Sequence, residues 1–151
     1  MNGPRNDHDD PRARSAARRL LVQALYQRLL GGQPWQELHG QYRGDPVFAR
    51  ADEAYFRAAL EQICAGTPGL DEELRRHSDI APERLDPVEH AILLLGLWEL
   101  MSRQDVPYRV VINEAVELAR RFGATDGHRY VNAVLDRASR AHRAPERGEV
   151  A

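Results

Sequence analysis

The sequence predicts an all-α fold of about seven helices arranged around one buried central helix. The central segment, residues 86–103, opens with a strong start signal, because Asp86 can cap a helix and Pro87 fits its first turn. Glu89 follows the cap by three residues, where its carboxylate can bond back to the cap. Residues 91–101 are apolar except for one glycine and one glutamate, so this helix lacks a polar face for a surface position. No strand-like alternation occurs along the sequence.

The other helices are predicted from apolar spacing and from their end signals. In the first helix, small and leucine side chains fall within one arc at 100° per residue, and Gly31-Gly32 stops the pattern. Gly66 ends a later helix, and Thr67-Pro68 begins the next one. Together these signals place helices at 12–30, 35–42, 46–65, 67–77, 86–103, 106–122 and 125–142.

The bulk composition indicates one ordinary globular domain within the 151 residues. Segments 1–11 and 143–151 lack apolar periodicity and are predicted to be disordered tails on a single helical domain, 12–142. Because no apolar stretch follows the polar first residues, neither a signal peptide nor a membrane anchor is expected. The single cysteine, Cys64, allows no internal disulfide, which is typical of a reducing compartment. We therefore expect a cytoplasmic protein.

Charge is distributed unevenly along the chain. The formal net charge is −2, yet residues 11–36 hold five arginines and no acid. Arginine suits bidentate phosphate contacts and stacking on bases. The acids lie mostly between positions 37 and 117. A basic first helix on an acidic body predicts two kinds of partner, one anionic and one basic.

The first helix carries the most informative surface pattern. Arg12, Arg19 and Tyr26 recur every seven residues, so they drift by only about 20° per step and share one stripe. The stripe lies nearly opposite the apolar arc, which predicts that Tyr26 faces solvent. Arginines that track phosphates, together with an aromatic ring that stacks on a base, are typical of single-stranded nucleic-acid binding. A solvated basic face with one packed tyrosine explains the same residues and stays open here.

Patterns for catalysis or metal binding are weak. Cys64 and His77 are a conceivable nucleophile and base, but nothing in the sequence places them together, and a buried thiol is the simpler interpretation. His8 stands among acids, where a solvated tail is favoured over a metal site. Neither a His-Glu-x-x-His set nor a phosphate-binding loop occurs in the sequence. We therefore predict no enzyme, no metal site and no cofactor.

Three motifs resemble a known family. They are VQALY at 22–26 after an arginine-rich start, DVPYRVVINEA at 105–115, and FGATD at 122–126 running into YVNAVLD at 130–136. With these motifs the chain resembles the NusB family of bacterial transcription antitermination factors, over about residues 14–140.

The resemblance implies two packed helical sub-bundles and no enzyme activity. It also implies a complex with NusE, the small-subunit ribosomal protein, that binds boxA RNA in the leaders of ribosomal RNA operons within the RNA polymerase antitermination complex. By position, the RNA-binding roles fall on Arg14, Arg18, Arg19, Tyr26, Asp126 and Tyr130, with Arg12 substituting in an arginine cluster that is thinned here. Glu83 and Glu89 match the acidic surface that faces NusE.

Two other classes compete with this interpretation. The fold also resembles the N-terminal RNA-binding part of certain ribosomal RNA cytosine methyltransferases, but this chain has no room for their catalytic domain. The alternative that remains is a helical protein–protein adaptor without RNA binding. The sequence also leaves open whether the protein is a monomer or a homodimer that hides the arginine face.

Overall fold

The computed structural model describes residues 10–149, and this part of the chain contains six α-helices, two short 3-10 helices and no strand. The predicted all-α fold is therefore confirmed, although the number of α-helices is six rather than about seven. None of the helices in the described part is both long and apolar enough to cross a membrane. The α-helices are α1 (Pro11–Gly31), α2 (Trp35–Tyr42), α3 (Glu53–His77), α4 (Pro87–Ser102), α5 (Tyr108–Phe122) and α6 (Gly127–His142), with 3-10 helices at Pro46–Arg50 and Pro82–Arg84.

The central helix α4 forms as predicted. Its cap, Asp86, accepts hydrogen bonds from the backbone N–H groups of Val88 at 2.9 Å and Glu89 at 3.4 Å. Every residue from His90 to Leu100 is buried. Helix α4 packs against α1 and α3 on one side and against α5 and α6 on the other. This arrangement gives two helical sub-bundles that share α4 as their common axis.

Helix α3 differs from the prediction, because it runs through Pro68 without a break. A proline inside a helix leaves the carbonyl four residues earlier without its N–H partner. Here that carbonyl belongs to Cys64, and the Arg28 guanidinium of α1 reaches it at 3.5 Å. The hydroxyl of Thr67 also donates to the Ile63 carbonyl at 2.7 Å. Side chains thus supply hydrogen-bond donors to the carbonyls of this turn. The two predicted helices 46–65 and 67–77 are replaced by the 3-10 helix Pro46–Arg50 and the single long helix α3.

The ends of the domain also differ from the predicted boundaries. Asp10 caps α1 by accepting from the Arg12 N–H at 2.9 Å, so the helix begins at Pro11. Residues 1–9 of the predicted N-terminal tail, including His8, lie outside the described residues. At the other end Arg143 is 1% exposed. Its guanidinium donates to four backbone carbonyls in and after α4, at 2.8 to 3.0 Å. Arg143 and the buried Ala144 therefore belong to the packed domain, beyond its predicted end at residue 142.

Candidate nucleic-acid interface

Helix α1 presents the predicted stripe to solvent. Arg12 is exposed, Arg19 is half-buried and Tyr26 is 38% exposed. Among the residues that the structure describes, no carboxylate forms an ion pair with Arg12 or Arg19. The two guanidinium groups are therefore available to an anionic ligand, and the tyrosine ring lies about 10 Å further along the same face.

Arg18 does not belong to this surface, which corrects its predicted RNA-binding role. Its side chain is 3% exposed and donates to both carboxylate oxygens of Glu99, at 2.7 and 3.1 Å. Glu99 stands in the middle of α4, so the pair fixes α1 on the central helix. Burial alone would lower the pKa of the Arg18 guanidinium, but the hydrogen bond and charge of Glu99 raise it above its usual value. The Arg18 guanidinium is therefore a buried, paired charge with a structural role in the core.

Arg14 also faces inward. Its side chain is 14% exposed, and its guanidinium lies 3.5 Å from the carboxylate of Asp105 and 3.8 Å from that of Asp52. Arg103 donates two hydrogen bonds to Asp105 at 2.9 Å and lowers the pKa of that carboxyl to about 2. Arg14 is thus held between the starts of α3 and α5 by two structural carboxylates, and its predicted contact with RNA does not fit this arrangement.

The ring of Tyr55 explains why two inward arginines are tolerated. Tyr55 is 1% exposed, and three guanidinium groups lie over its ring at 4.6 Å for Arg14, 5.5 Å for Arg18 and 4.9 Å for Arg103. A guanidinium over an aromatic face gains from the ring quadrupole, most of all where water is excluded. Burial, followed by the neighbouring Glu99 carboxylate, raises the pKa of the Tyr55 hydroxyl. The four side chains form a structural cluster between α1, α3 and α4.

Two adjoining grooves run along the outer face of α1 and share Arg19. The first, of about 730 Å³, lies between α1 and the first 3-10 helix and is lined by Arg12, Arg19 and Arg50. The second, of about 390 Å³, lies between α1 and the end of α5 and is lined by Arg19, Arg120 and Arg121. Acidic residues also line the grooves, with Asp10 in the first and both Glu114 and Glu117 in the second, where Glu117 pairs with Arg120 at 2.9 Å. The shared residue makes these grooves one basic track.

An apolar groove of about 560 Å³ continues from this track toward the end of α1. Tyr26 and Leu30 of α1, Val88 of α4 and Phe122 of α5 line it. The Arg121 guanidinium lies 5.6 Å from the Phe122 ring, which joins the basic and the aromatic parts. Leu30 is 62% exposed and Tyr26 is 38% exposed, so the apolar surface is open to a ligand. Hereafter "the α1–α5 surface" means Arg12, Arg19, Tyr26, Arg50, Arg121 and Phe122.

Two further residues predicted to contact RNA, Asp126 and Tyr130, lie at the start of α6. Asp126 is exposed, and its side chain does not cap α6. Tyr130 is half-buried, and its hydroxyl shares a hydrogen bond with Ser78, directly after α3. Its ring is therefore anchored to the end of α3, which leaves part of the ring for contact.

Glu89 occupies a different place from the one predicted for a capping carboxylate. Its side chain lies against Gly127, where an added Cβ would overlap the carboxylate. Burial, followed by the charge of Asp86, raises the pKa of Glu89. The carboxylate thus faces the N-terminal turn of α6, where the helix dipole favours a negative charge. Glu83, by contrast, is exposed on the second 3-10 helix and pairs with Arg75 of α3.

Three residues of the interface, Arg50, Arg121 and Phe122, are not predicted by the sequence pattern. Arg50 is brought to α1 by the first 3-10 helix, whose contact with α1 depends on the tertiary fold. Arg121 and Phe122 close α5 just before Gly123, a position where a basic residue is readily explained by the helix dipole alone. The adjacent Arg121 and Phe122 were the feature of the sequence that could have indicated a nucleic-acid contact.

The nucleophile and base considered for catalysis are not brought together as an active pair. Cys64 is buried, and this burial raises the pKa of its thiol and disfavours the thiolate. His77 bonds through Nε2 to Glu73 at 2.9 Å. The simpler interpretation of Cys64 as a small buried side chain therefore fits the structure.

Comparisons with known proteins agree with the motifs. The sequence model of the NusB family matches residues 15–140. The transcription antitermination protein NusB of Pseudomonas putida strain W619 is 50% identical over 133 residues, which cover 88% of this chain and 80% of that protein. The protein of the same name from Alcanivorax borkumensis is 46% identical over 144 residues, covering 95% of this chain and 96% of that protein.

Two solved structures share the fold. T. maritima NusB superposes with a TM-score of 0.68 at 24% identity, covering 99% of this chain and all of that one. A crystal structure of the antitermination factors NusB and NusE in complex with dsRNA contains a chain with a TM-score of 0.70 at 23% identity, covering 87% of this chain and 99% of that one. Because the family match and both relatives extend over most of the chain, this protein belongs to the NusB family.

Proposed function

We propose that this chain is a transcription antitermination factor that binds boxA-type single-stranded RNA of ribosomal RNA operon leaders together with NusE. The observation that carries the proposal is the α1–α5 surface, whose arginines have no ion-pair partner among the described residues and lie beside an open aromatic groove. The curated relatives have the name of the antitermination protein, and one structure of the same fold contains NusB, NusE and dsRNA. The proposed role requires no catalytic step by this chain, and it places the protein in the cytoplasm.

The geometry suits a single strand that lies along α1. Phosphates would contact Arg12, Arg19 and Arg121, while a base stacks on Tyr26. In such an arrangement the arginines contact the phosphates along the RNA backbone, and the aromatic ring stacks on an unpaired base. The four arginines of the α1–α5 surface, on a body of net charge −2, neutralise few phosphates, so RNA binding by this chain alone is expected to be weak. A basic partner beside this track would extend it.

For NusE, the proposal places the contact on the acidic residues Glu83 and Glu89. Glu83 is exposed, and its present partner Arg75 can be replaced by a basic residue of the partner protein. Glu89 is half-buried against Gly127, so it would act at the edge of such a contact. Because Val88 lines the aromatic groove, the start of α4 links the proposed RNA and NusE sites.

The test is a titration of labelled boxA-type RNA, with and without NusE, on the wild type, Tyr26→Ala and Tyr26→Phe. Loss of a stacked ring costs about 1–3 kcal/mol of binding, so Tyr26→Ala should weaken RNA binding about 5- to 150-fold. Tyr26→Phe keeps the ring face and should lose much less. Both variants should keep the wild-type melting temperature to within a few degrees, because Tyr26 is 38% exposed.

The outcomes separate the two function classes. Tighter RNA binding with NusE, lost in Tyr26→Ala, supports the proposal. Unchanged RNA affinity in Tyr26→Ala contradicts the stacking role, and retention of NusE without any salt-dependent RNA binding favours the protein–protein adaptor. A duplex of the same sequence serves as the comparison RNA, since a single strand is expected to bind more tightly than a duplex if stacking on Tyr26 contributes.

A further inference from the structure

Three side chains with metal-binding atoms converge where α3 and α6 end. Glu73 and His77 lie on the last turns of α3, and His142 is the final residue of α6. The Nε2 atoms of His77 and His142 lie 2.9 and 2.6 Å from the same carboxylate oxygen, Oε1 of Glu73. The three potential ligand atoms all lie within 4.8 Å of one another. Sequence spacing did not reveal this set, because His142 is 69 residues from Glu73.

The carboxylate at the centre is held in place by its other oxygen. The Arg76 guanidinium donates to Oε2 of Glu73 at 3.0 Å, which leaves Oε1 directed at the two imidazole rings. Such outer hydrogen bonds orient ligating side chains and are part of most metal sites. Glu73 is 7% exposed, whereas the side chains of His77 and His142 are 13% and 24% exposed. An ion can therefore enter from the histidine side, which is the more exposed side of the cluster.

We propose that Glu73, His77 and His142 bind a divalent transition ion of the zinc type, with water as the fourth ligand. Two imidazole nitrogens and one carboxylate oxygen form a donor set that suits zinc, whereas calcium and magnesium prefer oxygen ligands alone. Zinc binds such atoms at about 2.0–2.2 Å in a tetrahedron, so neighbouring ligand atoms should stand about 3.3 Å apart. The two Nε2 atoms must retreat from Oε1 by less than an ångström, and their own separation, which is at most 4.8 Å, must reach the same value.

Metal binding has a clear proton balance at this site. In the present hydrogen bonds each Nε2 atom supplies the proton that the carboxylate oxygen accepts. An ion at Nε2 takes the place of that proton, which moves to Nδ1 in a neutral imidazole and is released from a protonated one. Protons therefore compete with the ion, and binding weakens as the pH falls. The bound ion would join the C-terminal ends of α3 and α6, and any ligand that binds only the folded state raises its stability. None of the three ligands belongs to the α1–α5 surface, so the site is independent of the proposed RNA function.

The first test titrates the full chain with Co²⁺, monitored by visible absorption, and with Zn²⁺, monitored by calorimetry and thermal unfolding. We expect one ion per chain and a rise in melting temperature. His142→Gln removes one of three protein ligands and should weaken binding at least about tenfold, given that loss of an outer contact alone costs about 10- to 100-fold. The matched control is His90→Gln, because His90 contacts a single carboxylate, Asp71, at 2.6 Å and should leave binding unchanged.

A second measurement needs no substitution at the site and covers the case that His142→Gln fails to fold. The ring nitrogen NMR signals of the wild-type protein are followed during Zn²⁺ addition, and those of His77 and His142 should move together. Absence of binding at tens of micromolar Zn²⁺ would overturn the proposal. So would equal affinity in folded His142→Gln, or binding that disappears in His8→Ala, which would assign the ion to the N-terminal acidic segment.

Discussion

The structure predicts opposite consequences for two adjacent arginines of α1. In Arg18→Ala, the Glu99 carboxylate loses hydrogen bonds of 2.7 and 3.1 Å and remains 1% exposed in the core. Removing one partner of a buried pair costs about 3–5 kcal/mol, because a buried charge is left without compensation. At about 2–4 °C per kcal/mol for a chain of this size, the melting temperature should fall by roughly 6–20 °C. Arg19→Ala removes no ion pair among the described residues and should leave the melting temperature nearly unchanged.

The assay is thermal and urea unfolding of both variants, together with RNA titrations at several salt concentrations. Arg19→Ala should weaken all RNA sequences alike and reduce the slope of log K against log salt by about 0.7 for one lost single-strand phosphate contact. Folded Arg18→Ala should keep the wild-type slope. A paired replacement of Arg18 and Glu99 by leucine should recover much of the stability. An unchanged melting temperature in Arg18→Ala, or a reduced salt slope in that variant, would refute the assignment of Arg18 to the core.

Two further predictions concern the other carboxylates that the fold encloses. Gly127→Ala should cost about 1–3 kcal/mol, measured by urea unfolding, because the new Cβ overlaps the Glu89 carboxylate, and Glu89→Ala in the same chain should restore most of the loss. For Glu73, burial raises the carboxyl pKa, but the hydrogen bonds from His142 and His77 outweigh it and lower the pKa below 4.5. The ionised Glu73 carboxylate therefore stabilises the fold above pH 4.5, and this stabilisation is lost as the pH falls through the lowered pKa. The difference in melting temperature between wild type and Glu73→Gln should consequently narrow toward pH 3. A constant difference from pH 6 to pH 3 would contradict this assignment.

The sequence predicts the outer face of α1 well, because that face depends on helical period alone. The seven-residue spacing that joins Arg12, Arg19 and Tyr26 correctly makes Tyr26 an exposed ring. The same spacing carries an overlooked signal for the inward arginines. Arg18 lies seven residues before Leu25, which is 2% exposed, so it shares a buried stripe. Arg14 stands in the same relation to Leu21, which is fully buried.

The features that the sequence did not predict all depend on partners distant in the chain. Glu99 is 81 residues from Arg18 in the sequence. Local patterns cannot show that the carboxylate in the apolar helix α4 pairs with that arginine. Likewise, Pro68 is a sound helix boundary by local rules, and only the Arg28 guanidinium from α1 compensates the carbonyl that it leaves unpaired. Periodicity therefore predicts which side of a helix is buried, whereas the polar partners within the core require the tertiary fold.

Within the described part of the chain, Glu117 is the acidic residue that pairs with an arginine of the basic track. Glu117 pairs with Arg120 at 2.9 Å, and both side chains are more than half exposed, so the pair contributes only about 0–1 kcal/mol to stability. Glu117→Gln removes a negative charge from the groove and frees a guanidinium for phosphate. RNA affinity should rise, with a salt slope steeper by about 0.7 for the added contact. Glu61→Gln on α3 makes the same change in net charge on another exposed helix position and is the matched control. Equal gains in both variants would mean that RNA responds to net charge alone, and that the groove beside Arg19 does not hold the strand.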